Sequence, residues 1–232
     1  MEKAIRSYIA EFLGTFTLVF VGTAVATLAR FPESRQIGFV EISLAFGFTL
    51  MVMVWTFGPV SGCHINPAVT LPMALSGRLP WANVPGYVIA QCAGGVAASG
   101  ALYVLLDGIP GYELAKYHLG ANGNPLGMST QSLFGFEFLM TALFLMTIFS
   151  VTRSDAAPGF AGLAIGGFLL VSHLLGAQLG DSSLNPARSL GPALVEWFFA
   201  GGESLEFLWI FVLAPLAGGV VGWGLYSVIH KD

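Results

Sequence analysis

Hydrophobic residues fill six long runs of this chain in which charged side chains are rare. The runs lie near residues 6–29, 38–58, 82–106, 131–151, 159–179 and 207–229. Each is long enough for a helix to cross the hydrocarbon core of a bilayer, which takes about 20 apolar residues. Backbone groups in lipid must pair within the chain, and these runs lack the alternation of barrel strands. The pattern therefore predicts an all-α membrane protein with six transmembrane helices.

Two further apolar segments, residues 61–77 and 180–200, are not part of these spans, and each contains two prolines. Either segment could be an ordinary loop. Both hold the tripeptide Asn-Pro-Ala, however, and both are too apolar for a segment surrounded by water. We expect them to enter the membrane as two re-entrant half-helices, one in each half of the chain.

The composition narrows the class of protein further. Hydrophobic residues make up 55% of the 232 residues and charged residues only 9%, whereas a soluble domain carries about 25% charged residues. With a net charge of −4 and no basic face, the chain is not expected to bind nucleic acid. Its two cysteines do not make a disulfide framework, and the first apolar run is too long for a cleavable signal peptide. Sequence motifs of hydrolases and metalloproteases are absent, so we predict no enzyme, no metal and no cofactor.

The two halves of the chain resemble each other. Four short motifs recur in the same order at offsets of 119 to 126 residues, beginning at Glu11 and Glu137, Ala45 and Ala164, Asn66 and Asn185, and Ala93 and Ala217. Each half holds three spans and one half-helix, so the second copy must enter the membrane from the opposite face. This predicts one transmembrane domain over residues 1–232, built from inverted repeats at about 1–115 and 130–232.

Each Asn-Pro-Ala tripeptide is a helix start. Asparagine is a good N-cap, proline suits the first helical turn, and a helix start carries a partial positive charge. Two such starts would meet near the bilayer midplane, formed by Asn66, Pro67 and Ala68 and by Asn185, Pro186 and Ala187. The asparagine N–H groups would bind the oxygen of a water molecule and turn its hydrogens toward the two mouths, which interrupts a proton wire. We therefore predict a pore that conducts water and not protons.

Unwound backbone is expected before each of these turns. Non-helical backbone at this depth is tolerated where it lines a watery cavity. Carbonyl groups are expected to line the pore at Gly62, Cys63, His64, Asp181 and Ser183. Glu11 and Glu137, one in each half, are expected to be structural carboxylates that accept the backbone N–H groups of these segments. A proton relay is the alternative role for the two carboxylates.

With these motifs the chain resembles the aquaporins, the major intrinsic protein family, over essentially its whole length. The resemblance rests on residues 61–70, Ser-Gly-Cys-His-Ile-Asn-Pro-Ala-Val-Thr, and on residues 185–189, Asn-Pro-Ala-Arg-Ser. It implies the hourglass fold of six helices and two half-helices, a pore in each monomer, and a homotetramer in a lipid membrane. It also implies an outer constriction, the selectivity filter, formed here by Phe46, His173, Ser182 and Arg188.

The filter residues point to the water-channel branch that this family has in bacteria. Phe46 lies 20 residues before the first Asn-Pro-Ala, and His173 lies 12 residues before the second, where water channels place an aromatic residue and a histidine. Arg188 adds a fixed positive charge that repels cations. Ser189 stands where glycerol channels carry Asp. Residues 211–212, Phe-Val, depart from the two aromatics that water channels tend to have.

Two other functions remain open on the sequence alone. A channel that also passes glycerol, urea, ammonia or a metalloid acid would keep the fold and change the filter. A secondary transporter also uses inverted repeats and broken helices, but it needs an ion site in the core, for which only Glu11 and Glu137 are candidates.

Basic residues predict the orientation in the membrane. With both termini inside, the cytoplasmic side carries Lys3, Arg6, Arg78, Arg153 and Lys231. The outer side then carries Arg30, Arg35 and Lys116. Cytoplasmic segments are richer in Lys and Arg, so we expect both termini on the cytoplasmic side of a prokaryotic inner membrane.

Overall fold

Helices account for all the regular secondary structure that the computed structural model describes, which covers residues 2–32, 37–179, 182–201 and 203–230. The α-helices in these ranges are α1 (Glu2–Leu28), α2 (Phe39–Ser61), α3 (Pro67–Leu75), α4 (Val84–Asp107), α5 (Leu114–Tyr117), α6 (Thr130–Val151), α7 (Ala161–Leu179), α8 (Pro186–Ala200) and α9 (Leu208–Ile229). Single 3-10 turns, Trp81–Asn83 and Glu203–Leu205, precede α4 and α9.

Six of these helices correspond to the predicted spans. Among the described residues, α1, α2, α6, α9 and the helical stretch Trp81–Asp107 have the length and composition to cross a membrane. The sixth is α7, whose 19 residues make a helix of about 28 Å, packed along α2. The short helices α3 and α8 are the half-helices. The predicted fold, all-α with six membrane helices and two half-helices, is confirmed.

The end of α2 lies beyond the predicted bound. The sequence predicts that this span ends near residue 58 and that a re-entrant segment begins at 61, whereas α2 continues to Ser61 and α3 begins only at Pro67. Gly62 ends α2 because its φ of 86° lies in the left-handed region, and its N–H donates to the carbonyl of Gly58. The turn into the half-helix is therefore short, covering residues 62–66.

Glycines let the membrane helices pack with their backbones in contact. Gly218 and Gly222 of α9 lie so close to the carbonyl groups of Phe138 and Ala142 in α6 that a Cβ atom at either glycine would collide with them. Gly94 of α4 lies against the backbone of α1 in the same way. Small residues allow this approach in membrane helices. The pairs α1–α4 and α6–α9 are thus packed alike in the two halves.

Each half-helix is held by a membrane helix from the other half. Gly95 of α4 lies against the carbonyl of Ala187 in α8, and Gly219 of α9 lies against the carbonyl of Ala68 in α3. The two halves therefore interlock, and neither could form the middle of the molecule alone. The exact bounds of the two repeats stay a prediction.

Polar and apolar surfaces are distributed as lipid requires. Ile89, Val104 and Phe198 are 69%, 71% and 72% exposed on the outside of the helices. Glu11 and Glu137 are fully buried at the centre. Ionisable residues in a membrane protein face the interior because hydrocarbon cannot solvate them. The two carboxylates therefore lie in the interior of the helix bundle, away from lipid.

Candidate pore

Asn66 and Asn185 begin the two half-helices. Each has extended backbone, with φ of −163° and −147°, and each is followed by a proline in the first helical turn. The side-chain Oδ1 of Asn66 accepts the N–H of Ala68 at 2.8 Å, and that of Asn185 accepts the N–H of Ala187 at 3.0 Å. Both tripeptides are therefore capped helix starts.

The same two side chains bind the opposite turn. Nδ2 of Asn66 donates to the carbonyl of Leu184 at 2.7 Å, and Nδ2 of Asn185 donates to the carbonyl of Ile65 at 2.9 Å. The two half-helices thus meet start to start. A carboxamide nitrogen carries two hydrogens, and both asparagines line a cavity of about 920 Å³. The second N–H of each side chain is available to a molecule in that cavity.

Strained backbone before each asparagine makes these contacts possible. Ile65 and Leu184 have φ of 41° and 57°, in the left-handed region that non-glycine residues rarely adopt. Such a conformation costs on the order of 1 kcal/mol or more. The two residues occupy equivalent positions in the two halves, and their carbonyl groups are those that accept from the opposite asparagine. The strain is located where the two turns are joined.

A buried carboxylate holds each strained turn. Glu11 accepts the backbone N–H groups of His64 at 2.9 Å and Ile65 at 2.5 Å. Glu137 accepts those of Ser183 at 2.7 Å and Leu184 at 2.9 Å. Hydrogen bonds to a charged acceptor are stronger than neutral ones. Each carboxylate thus satisfies two backbone donors that no helix can satisfy.

The first turn has an additional partner that the sequence analysis missed. Nε2 of Gln91 in α4 donates to Glu11 at 2.7 Å and to Oγ1 of Thr70 at 2.8 Å. Thr70 also contacts Nδ1 of His64 at 3.2 Å. The position of Gln91 in α4 carries no motif that marks it as part of the pore, so only the fold reveals it.

Two cavities follow one another along the molecule. The larger, of about 920 Å³, extends from Lys3 near the start of α1 to both asparagines and beyond. The smaller, of about 320 Å³, is lined by Arg30, which follows the other end of α1. Since α1 crosses the membrane, the two cavities open toward opposite sides.

Three side chains line both cavities and therefore separate them: Phe46, His173 and Arg188. The rings of Phe46 and His173 stack with centroids 4.4 Å apart, and Cζ of Arg188 lies 5.0 Å from the centroid of Phe46. Gly22 of α1 makes room for the Phe46 ring, since a Cβ atom there would collide with it. The three side chains are 1–4% exposed. This is the narrow point of the path.

The loop between the halves holds Arg188. Its Nη1 donates to the carbonyl of Gly120 at 3.0 Å and also to Oδ1 of Asn122. Asn122 in turn donates to the carbonyl of Ser182 at 3.3 Å, and Ser182 lines the smaller cavity beside Arg188. Gly120 and Asn122 were not among the predicted residues. Asn122 and Gly123 form an Asn-Gly pair, which is typical of an ordinary turn.

His173 presents one ring nitrogen to the pore. Its Nδ1 lies 2.9 Å from the carbonyl of Leu169, one turn earlier in α7, and donates to it. In the neutral ring, Nε2 is then an acceptor. Within the part of the chain that the structure describes, Nε2 is buried and has no hydrogen-bond partner. A small polar molecule in the narrow point can donate to it.

The remaining predicted residues divide into three sets. Gly62, Cys63, His64 and Ser183 line the larger cavity. Pro67, Ala68, Pro186 and Ala187 form the first turns of α3 and α8 and are buried. Asp181 lies outside the residues that the structure describes. Within the described residues, no group of His, Cys, Asp and Glu side chains has the arrangement of a metal site.

Comparison with known sequences identifies relatives over almost the whole chain. The major intrinsic protein family matches residues 1–226. Aquaporin Z of Rhodopseudomonas palustris is 43% identical in an alignment 231 residues long, which covers 98% of this chain and 94% of the relative. Aquaporin Z of Photorhabdus laumondii is 41% identical over 98% of this chain and 99% of its own.

A solved structure shows the same fold. The X-ray structure of the aquaglyceroporin from Plasmodium falciparum superposes with a TM-score of 0.84 at 23% sequence identity. The alignment covers 97% of this chain and 96% of that one. The family match over residues 1–226 and the relatives at 41% and 43% identity show that the chain belongs to the major intrinsic protein family of membrane channels.

Proposed function

We propose that this chain is a passive water-selective channel that excludes protons and ions. The observation that carries the proposal is the narrow point, where Phe46, His173 and Arg188 line both cavities. Stacked rings limit its width, and Arg188 and His173 supply a donor and an acceptor. A water molecule fits these groups in size and polarity, whereas a larger polyol must lose more of its hydration to enter.

The meeting point of the half-helices supports proton exclusion. Two helix starts carry partial positive charge toward the same place, and each asparagine offers one N–H to the cavity. A water molecule that accepts both bonds has its hydrogens turned outward and cannot pass a proton along in one direction. Arg188 repels hydronium at the narrow point.

Passage of glycerol is the alternative. It is tested by stopped-flow light scattering of liposomes that contain the purified protein, first with an impermeant sugar as osmolyte and then with glycerol. We expect fast shrinkage in both and no fast reswelling in glycerol. Reswelling at a rate well above that of protein-free liposomes would show that the channel passes glycerol as well as water. Shrinkage no faster than in protein-free liposomes would reject the channel proposal.

Proton exclusion is tested with Arg188→Val. A pH-sensitive dye sealed in the same liposomes measures the decay of an imposed pH gradient. The wild type is expected to keep the gradient, and the variant to dissipate it faster while still conducting water. If the pH gradient decays as slowly with the variant as with the wild type, proton exclusion is due to the half-helices alone.

The membrane context is part of the proposal. The Aquaporin Z relatives are bacterial proteins, which supports a prokaryotic inner membrane. Aquaporins are typically tetramers, and we propose a homotetramer in which each chain carries its own pore. No cofactor is required, because the path itself supplies every group that the permeating molecule meets.

A further inference from the structure

A third buried carboxylate, Glu196, lies on the half-helix that carries Arg188. It follows Arg188 by eight residues, which is about 12 Å along α8, and it is 1% exposed. A carboxylate in such a place is costly unless its oxygens are satisfied. The groups that bond to its oxygens therefore show which part of the chain Glu196 holds in place.

Glu196 is bonded to the loop between the two halves. Its Oε1 accepts the backbone N–H of Leu119 at 2.7 Å. Its Oε2 contacts Nδ1 of His118 at 3.3 Å and accepts from Oγ of Ser204 at 2.5 Å. One side chain thus fixes two consecutive loop residues to the outer part of α8.

The residues that follow directly in the loop are those that hold Arg188. Leu119 is bonded to Glu196, Gly120 accepts from Arg188 at 3.0 Å, and Asn122 accepts from Arg188 and from Ser189. We call residues 118–122 the filter segment. Both ends of the segment are bonded to α8, so its position depends on Glu196 as much as on Arg188.

Other contacts also limit the movement of the filter segment. Leu119 is completely buried. The carbonyl of His118 accepts from the hydroxyl of Tyr112 at 2.7 Å. Gly120, at a φ of 69°, lies on α1, where a Cβ atom would be 3.2 Å from Thr23. The bonds from Glu196 to His118 and Leu119 oppose any movement of the segment away from α8.

We propose that Glu196 is a positioning residue for the narrow point: by holding the filter segment against α8, it keeps the oxygens of Gly120 and Asn122 on Arg188 and so sets the width that excludes larger solutes. This inference rests on the proposed water selectivity. Glu196 does not touch the permeating molecule and acts through the loop.

The test compares glycerol and water permeability in liposomes that contain wild type, Glu196→Ala, Glu196→Asp, Glu196→Gln or Glu113→Ala. Glu196→Ala leaves the buried N–H of Leu119 without its acceptor, and we expect the glycerol-to-water ratio to rise about tenfold, the lower end of the effect of losing one hydrogen bond to a charged group. Glu196→Asp withdraws the carboxylate by one methylene and is expected to raise the ratio less. Glu196→Gln keeps an oxygen for Leu119 and should restore the wild-type ratio. Glu113→Ala removes an exposed carboxylate of the same loop and should change nothing.

Two further measurements separate positioning from general destabilisation. Thermal unfolding in detergent shows whether each variant is folded. If Glu196→Ala does not fold, the permeability ratio of Glu196→Asp is compared with that of the wild type instead. In an Asn122→Ala background, Glu196→Ala should add little to the ratio, because both act through the same segment. An unchanged ratio in folded Glu196→Ala and Glu196→Asp overturns the inference. Failure of the wild type to conduct water would instead reject the proposed function.

Discussion

Asn66 and Asn185 each use one carboxamide for three purposes. The oxygen caps the half-helix, one N–H binds the carbonyl of the opposite turn, and the other N–H is left to the cavity. Because two of these bonds are to backbone, the side chain cannot rotate, and the direction of the third donor is fixed. A donor that is already oriented does not lose freedom when a molecule binds, so the permeating molecule is oriented without being held tightly.

The width of the narrow point depends on two rings, and their removal gives the first prediction. Phe46→Ala combined with His173→Gly opens the gap while it leaves both asparagines in place. We expect water flow to persist and glycerol permeability to rise by about tenfold or more, which corresponds to a barrier lowered by about 1.4 kcal/mol. Stopped-flow measurements on liposomes provide both values.

Phe48→Ala is the matched control for this variant. Phe48 lies two residues after Phe46 in the same helix, but its side chain points to the outside and is 50% exposed. Phe48→Ala should leave the water and glycerol permeabilities unchanged. Continued exclusion of glycerol by the double variant would show that the solute barrier lies elsewhere in the path.

Cys63 gives a second prediction at this scale. It lines the larger cavity and lies three residues before Asn66. A mercurial that binds its sulfur would therefore obstruct the path. Water flow through the wild type should therefore fall to near the level of protein-free liposomes after treatment, and Cys63→Ser should resist. Cys92→Ser, which removes the other free cysteine, should remain sensitive. If mass spectrometry finds Cys63 modified while water flow persists, this residue is not at an obstructing position.

The half-helices illustrate what local sequence determines at the scale of an element. Their starts follow from Asn-Pro, since the cap and the proline define the first turn, and the structure begins α3 and α8 at Pro67 and Pro186. The end of α2 was predicted three residues too early. Its last residues are as apolar as a loop in the membrane would be, so hydrophobicity alone does not mark the point at which Gly62 turns the chain.

The contact between α4 and α8 predicts a difference between two glycines of one helix. Gly95 lies against the carbonyl of Ala187, whereas Gly100 has no atom within 4 Å of the position of a Cβ. Gly95→Ala should displace the half-helix and cost about 1–3 kcal/mol, as overpacking does. Gly100→Ala should be neutral or slightly stabilising. Thermal unfolding in detergent compares the two variants, and equal unfolding temperatures would contradict the close packing of α4 on α8.

At the scale of the whole molecule, the sequence predicted elements better than the contacts between distant polar residues. Six apolar runs, two capped turns and the internal repeat were enough to predict the architecture. The bonds from Arg188 to Asn122 and from Gln91 to Glu11 join residues 66 and 80 positions apart. Neither Asn122 nor Gln91 stands in a motif that marks a pore residue. Gln91 meets Glu11 when α4 packs on α1, and Asn122 meets Arg188 when the loop between the halves folds against α8.

The orientation of the molecule is the last prediction. An even number of spans places both termini on one side, and the excess of Lys and Arg there predicts that this side is cytoplasmic. Green fluorescent protein fused after His230 should therefore be fluorescent in bacterial cells, and alkaline phosphatase at the same place should be inactive, because it folds only after export. Alkaline phosphatase fused after Gly111, in the loop that follows α4, should be active. The opposite pattern at both sites would reverse the orientation and place the narrow point, with Arg188 and Glu196, on the cytoplasmic side.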